Sequence, residues 1–130
     1  MKIHHVGYLT KKMDKAIKAF TDLGYTIEKE TKYDEIREIN IAFLINGDYR
    51  VELIEPVSKE SPMYPLLKNY KNTPYHFCYI TDDIEASISK LNDMGYMVIH
   101  EPEIAPCIDD NRVSFLINPS MGIIELVEMA

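Results

Sequence analysis

The chain has 130 residues, of which 46% are apolar and 27% charged, with a formal net charge of −7. That size and balance fit one compact domain with a core of its own. The acidic balance, with no basic stripe of domain scale, argues against nucleic acid as a partner, and no apolar run approaches the ~20 residues that cross a bilayer.

The opening stretch, "MKIHHVGYLTKKMDKAI", turns polar at once and lacks the apolar centre of a signal peptide. A cytoplasmic protein without a membrane partner is expected. The cysteines, Cys78 and Cys107, form no C-x-x-C pair, which argues against a zinc ribbon or a thioredoxin-type redox motif. Both are expected to be reduced, with Cys78 a small buried residue of a strand.

In chain order, the first predicted strand covers residues 2–9, where alternation sends His4 and His5 to opposite faces. A helix follows at about 13–23, with Met13, Ala16, Ile17 and Phe20 at helical spacing. Lys11, Lys12, Lys15 and Lys18 read as its solvated face. Gly24 is a natural stop. Strands are predicted at about 25–32, 38–46 and 49–56, with "NGD" at 46–48 as a tight hairpin turn. Residues 57–74 read as a proline-containing linker with some helical character near Tyr64–Tyr70.

The series then repeats. A strand at 75–81 leads to a helix at 83–94, with Asp82 or Asp83 as its N-cap and Ile84, Ile88 and Leu91 on its apolar side. Gly95 ends the helix, and strands follow at about 96–101, 112–118 and 122–129. The similarity is direct. "HVGYLTKKMDKAIKAFTDLGYTI" from His5 aligns without a gap to "HFCYITDDIEASISKLNDMGYMV" from His76, at an offset of 71. "AFLIN" at Ala42 meets "SFLIN" at Ser114 at an offset of 72, and "VELIE" at Val51 meets "IELVE" at Ile124 at an offset of 73. The chain is therefore an α+β protein of two tandem βαβββ modules, 1–56 and 75–130, joined by the linker 57–74 within a single domain of residues 1–130. In each module a helix covers one sheet face.

His5 is matched by His76, whereas His4 is matched by Tyr75. Glu52 is matched by Glu125, each with apolar neighbours along its strand. A carboxylate among apolar residues is costly unless it is paired or meets a cation. Two neutral imidazoles and two carboxylates carry about two negative charges, which one divalent ion neutralises; such N/O donors suit Zn²⁺, Ni²⁺, Co²⁺, Mn²⁺ or Fe²⁺. The competing reading leaves Glu52, Glu125, Glu55 and Glu128 on solvent faces.

These features resemble the vicinal oxygen chelate superfamily, which includes glyoxalase I and methylmalonyl-CoA epimerase. In that family each module gives one metal ligand from its first strand and one from its last. His5, Glu52, His76 and Glu125 occupy those positions, in an order similar to bacterial glyoxalase I. "GDYRVELIEP", Ser61–Pro62, "LLKN" at Leu66–Asn69 and "NRVSF" at Asn111–Phe115 look more like the epimerase. The departures from the epimerase pattern are Tyr75, Asn118–Pro119 and Ile41, where it has His, His-Pro and, in some members, an acid.

The resemblance implies a curved sheet around a metal-site cavity and a single divalent ion per site. It implies a glyoxalase-type lyase or isomerase, which removes the proton α to a metal-held carbonyl through an enediolate or enolate. Epimerisation of an acyl-CoA is the alternative. Glu125, with Glu52 as its counterpart, is the implied proton carrier. Arg112 and Asn111 are candidate substrate-binding groups, the arginine as a fork donor to an anion or carbonyl. The expected partner is a small molecule: a thiohemiacetal, an acyl-CoA or a small oxo or hydroxy acid. A homodimer is expected from the prevalence of two-fold assemblies. A third reading is a drug-binding resistance protein of the same fold. Such binders commonly lack the full ligand set present here. A ring-cleaving dioxygenase would prefer two histidines with one carboxylate.

Overall fold

The computed structural model describes residues 1–130. Its elements are β1 (Ile3–Leu9), α1 (Met13–Asp22), β2 (Thr26–Asp34), β3 (Ile39–Asn46), β4 (Tyr49–Pro56), α2 (Tyr64–Tyr70), β5 (Thr73–Thr81), α3 (Ile84–Asp93), β6 (Met97–Ala105), β7 (Asn111–Asn118) and β8 (Gly122–Glu128). The architecture is α+β, with βαβββ twice over. No helix is long and apolar enough to cross a membrane. Two compact units divide the chain: His5–Tyr75, and Met1–His4 with His76–Ala130. The first is called the N-unit below, the second the C-unit.

In the N-unit the strand order is β2-β3-β4-β1, with β1 parallel to β4 and the other pairs antiparallel. Helix α1 lies on one face. Its Met13 is buried against Ala42, Leu44, Val51 and Leu53 of the sheet, with Ile17 and Phe20 packed beside it. Tyr8 and Tyr25 meet Phe20 edge-on, at 5.2 and 5.1 Å between ring centroids, an arrangement aromatic pairs favour. Gly24, at φ +102°, follows the helix in the left-handed region that glycine adopts without a Cβ penalty.

The C-unit repeats this plan in the order β5-β8-β7-β6, with β5 parallel to β8. Helix α3 covers Leu116, Ile124 and Leu126 through Ile84, Ile88 and Leu91. Its N-cap is Asp83, whose side chain accepts from the backbone N–H of Ala86 at 3.0 Å. The strand ending near 101 on sequence grounds runs on to Ala105. Pro102 cannot donate to a ladder, and the register shifts between His100 and Glu103 absorb it. Strand β6 is the last in its order, where an edge tolerates proline. A short 3₁₀ turn at Pro106–Ile108 then packs Cys107 and Ile108 inward; Cys78 and Cys107 are both buried thiols.

A glutamate near the end of each last strand ties the helix to the sheet. Glu55 Oε2 accepts the backbone N–H of Met13 at 2.7 Å, and its Oε1 accepts from Asn40 Nδ2 at 2.9 Å. In the C-unit, Glu128 Oε2 accepts the backbone N–H of Ile84 at 2.9 Å, and its Oε1 accepts from Arg112 Nε at 3.1 Å. Glu55 and Glu128 thus bind the orphan donors of a first helical turn, where negative charge is favoured. They are not the solvent-face residues of the competing sequence reading. Replacing Glu55 with alanine is expected to lower stability by about 1–3 kcal/mol, since a charged acceptor to two donors is lost; urea denaturation of Glu55→Ala against the parent chain reads this directly.

Candidate functional site

The face of each sheet opposite its helix carries the histidine and glutamate singled out by the repeat. On β4, Val51 and Leu53 point to α1, so Glu52 points the other way. Gly7 of β1 lies beside Glu52 in register, and His5 sits two residues earlier on the same face. His5 Nε2 stands 3.3 Å from Glu52 Oε1, with the two residues 1% and 3% exposed. Phe43, opposite Glu52 on β3, meets the His5 ring edge-on at 5.5 Å and 78°.

The C-unit builds the same group from equivalent residues. Cys78 of β5 lies beside Glu125 of β8, and His76 sits two residues earlier. His76 Nε2 stands 3.1 Å from Glu125 Oε1, and each residue is 3% exposed. Phe115, opposite Glu125 on β7, meets the His76 ring at 5.4 Å and 84°. The His–Glu–Phe arrangement therefore occurs once in each unit. His4, by contrast, points to the other face of β1 and is half-buried.

Burying a carboxylate costs several kcal/mol unless charge or hydrogen bonds compensate it. Each glutamate meets an imidazole nitrogen, and the edge-on phenylalanine limits the ring's rotation. The donor set fits a first-row divalent ion. With metal–ligand distances of about 2.1 Å, neighbouring donors at right angles sit about 3 Å apart, close to both His–Glu separations. His and Glu together offer the nitrogen and oxygen donors such an ion takes.

Residues 4–115 match the family model described as "Glyoxalase/Bleomycin resistance protein/Dioxygenase superfamily". The chain belongs to this superfamily. The match includes His5, Glu52 and His76, and Glu125 follows it at the position equivalent to Glu52. Among solved structures, the Bacillus halodurans C-125 protein BH1468 superposes with a TM-score of 0.86 at 23% identity, covering 99% of this chain and 94% of that one. The methylmalonyl-CoA epimerase of Mycobacterium tuberculosis gives 0.83 at 22% identity, over 98% and 87%. A Streptomyces coelicolor methylmalonyl-CoA epimerase variant in complex with 2-nitronate-propionyl-CoA gives 0.84 at 24% identity, over 100% and 95%. In sequence, the uncharacterized protein YqjC of Bacillus subtilis (strain 168) is 22% identical over 99 residues, 75% of this chain and 70% of that protein.

The structure brings His5 to Glu52 and His76 to Glu125. It does not bring Arg112 to either pair. Arg112 shares a strand face with Ser114 and Leu116, and Leu116 packs under α3, so the guanidinium lies on the helix side of its sheet. It forks onto Glu85 at 2.6 and 2.9 Å and reaches Glu128 at 2.9 Å. Its counterpart in the N-unit is Asn40, which donates to the equivalent glutamate, Glu55. Arg112 is thus the C-unit's version of a brace shared by both units. Asn111 alternates to the face of Val113 and Phe115, the face of His76 and Glu125. Arg50 lies on the Glu52 face and forks onto Glu28 at 2.8 and 3.0 Å. Sequence reading passed over Phe43 and Phe115, although both recur in the matched "AFLIN" and "SFLIN".

The brace has an electrostatic signature. The hydrogen bonds from Arg112 hold the Glu85 carboxyl below the usual carboxylate range, and the bonds it donates to Glu85 and then Glu128 raise the guanidinium further. A lowered folded-state value contributes stability above the ordinary carboxylate pKa, which is lost as pH falls through the folded value. Carbon-detected NMR titration is expected to show Glu85 titrating at lower pH than in Arg112→Met, where its midpoint returns toward that of a free glutamate.

Proposed function

We propose that this superfamily member is a divalent-metal-dependent isomerase or lyase of the glyoxalase type, in which His5, Glu52, His76 and Glu125 hold one ion. The observation that carries this reading is the twofold occurrence of a buried His–Glu pair at equivalent strand positions. Nothing in the packing of two separate hydrophobic cores requires a buried carboxylate beside a histidine in both. The nitrogen and oxygen donors suit Zn²⁺, Ni²⁺, Co²⁺, Mn²⁺ or Fe²⁺. A small molecule with a carbonyl oxygen is the substrate, and a homodimer is the working assembly.

When bound, the ion supplies Lewis acidity that offsets negative charge building on the substrate oxygen. The protein's own part is proton transfer. In this reading Glu125 takes the proton α to the carbonyl and returns it, either to the same carbon or to its neighbour. Glu52 is the equivalent carboxylate from the other half of the repeat and serves as the second ligand or the opposite base. His5 and His76, held edge-on by Phe43 and Phe115, fix the directions from which the carboxylates approach. Burial excludes bulk water, which strengthens the electrostatic stabilisation of an enolate. Asn111, on the same face as Glu125, is the polar group placed to bind substrate.

Return to a neighbouring carbon is the glyoxalase-type isomerisation. Return to the same carbon is epimerisation, the second reading, which the likeness to the methylmalonyl-CoA epimerases favours. Parallel assays of hemithioacetal isomerisation and acyl-CoA epimerisation separate them.

Metal content is the first test. Elemental analysis of the reloaded protein is expected to show one divalent ion per site, lost in His5→Ala and kept in His4→Ala. Equal metal in both variants would overturn the ligand assignment. The Glu125→Gln variant is expected to slow turnover and α-proton exchange with deuterated water by about a hundredfold or more. Unchanged exchange in that variant would remove Glu125 as the base.

A further inference from the structure

We propose that the row Ile123, Ile117 and Met97 binds an aliphatic side chain carried by the substrate, so that the substrate is a small oxo or acyl compound with an alkyl substituent beside its reacting carbonyl. This inference rests on the metal-dependent reading above and names the substrate class of that same site.

The strand register of the C-unit sets the row. Phe77 pairs with Ile124 in the parallel strands β5 and β8, so His76 and Ile123 stand side by side one step earlier. Ile123 pairs with Ile117 of β7, and Ile117 with Met97 of β6. Paired residues share a sheet face. Ile124, Leu116 and Val98 pack on the helix side, so Ile123, Ile117 and Met97 lie on the face of His76 and Glu125. Ile123 is also two residues before Glu125 on its own strand, about 7 Å away. From there the row runs outward across two inter-strand steps, roughly 10 Å. Its exposure rises along the way: Ile123 is half-buried, Ile117 is 36% exposed and Met97 68%. Phe115, whose ring meets His76 edge-on, flanks it two residues before Ile117.

The repeat shows that the sheet does not require an apolar row here. The equivalent positions in the N-unit are Arg50, Ile45 and Thr26, in the same register. There His5 stands beside Arg50, one step before the Val6–Val51 pair, and Arg50 forks onto Glu28 at 2.8 and 3.0 Å. His, Phe and Glu are the same in both units, whereas the strip leading to them holds an ion pair in one and only apolar side chains in the other. Covering an open apolar strip removes its area from water, and this one starts at a buried histidine and carboxylate. Methionine at its outer end adapts to chains of differing shape. The strip is narrow. The other exposed methionines of the C-unit's repeat lie elsewhere: Met94 is the C-cap of α3, and Met121 accepts from the hydroxyl of Tyr96, which packs on the helix side. Three side chains expose far less than the ~800 Å² per partner that a stable protein interface buries, so the strip is sized for an alkyl chain and not for a second copy of the chain.

The test uses the full chain loaded with Mn²⁺ and isothermal titration calorimetry with 2-oxopropanoate and 2-oxohexanoate. Both probes carry the same 2-oxo acid end, and the second is longer by three methylenes. The parent chain is expected to bind the longer acid about tenfold more tightly, less than full burial of those methylenes would give because the strip covers one side of them. The double variant Met97→Thr/Ile117→Thr changes exposed strand positions that threonine suits. It is expected to bring the two affinities within about threefold of each other at unchanged Mn²⁺ content. Ile45→Thr, the equivalent change in the N-unit, is expected to keep the full preference. A parent chain that holds Mn²⁺ and shows no chain-length preference, a preference that survives in the double variant, or one that falls equally in Ile45→Thr would overturn the inference and leave the metal reading standing. A double variant that turns a dimer into monomers with the preference intact would overturn it too, and would assign the row to a second copy. Failure of the parent chain to hold any divalent ion would overturn the metal reading, and this inference with it.

Discussion

A carboxylate buried on a β-strand is the constraint from which the rest of this structure follows. Glu52 and Glu125 are each 3% exposed, and each lies between apolar neighbours that point to a helix. Such a group tolerates no slip in register, because a shift of one residue would move it into the hydrophobic layer under the helix. The pairing partners reflect this. A histidine nitrogen lies within 3.3 Å of each carboxylate, and an aromatic ring holds the imidazole in place.

The two halves show which features that constraint fixes. His, Phe and Glu are the same in both units, and the helix-capping glutamates are too. The supporting positions differ. Gly7 beside Glu52 becomes Cys78 beside Glu125, the smallest residue giving way to another small one. Asn40 becomes Arg112, and the brace gains a second carboxylate, Glu85. A neutral amide and a guanidinium both donate to the same glutamate oxygen, so the structural demand is a donor there and not a charge. Arg112 looks like an anion-binding residue in the sequence for the same reason that it serves well as a brace: its fork matches carboxylates.

Much of the fold was legible because it is written twice. The offset of 71 aligns both helices, both helix-ending glycines and both histidines, and strand alternation separates His5 from His4. The family match over residues 4–115 agrees with the α+β fold class read from the repeat. The parts that escaped depend on contacts distant in sequence. The capping of α1 by Glu55 joins residues 42 apart, and that of α3 by Glu128 joins residues 44 apart. No local pattern announces them. The strand expected to end near 101 runs on through Pro102, because an edge strand with a register shift carries the proline. The role of Arg112 was hidden because alternation alone says which residues share a face, and not which face holds the helix.

The spacing within the last strands reconciles these demands. Both read Glu-x-x-Glu, "ELIE" in β4 and "ELVE" in β8. Three residues is an odd step along a strand, so the two glutamates emerge on opposite faces. The first is buried beside a histidine. The second holds the N-terminus of the helix on the other side. One strand therefore presents a buried carboxylate on one face and locks its own register from the other. A slip that would bury the first glutamate under the helix would also take the second away from the helix donors, so each carboxylate makes the wrong register costlier for the other. Precise placement of an acid on a short strand thus comes from a second acid on its opposite face.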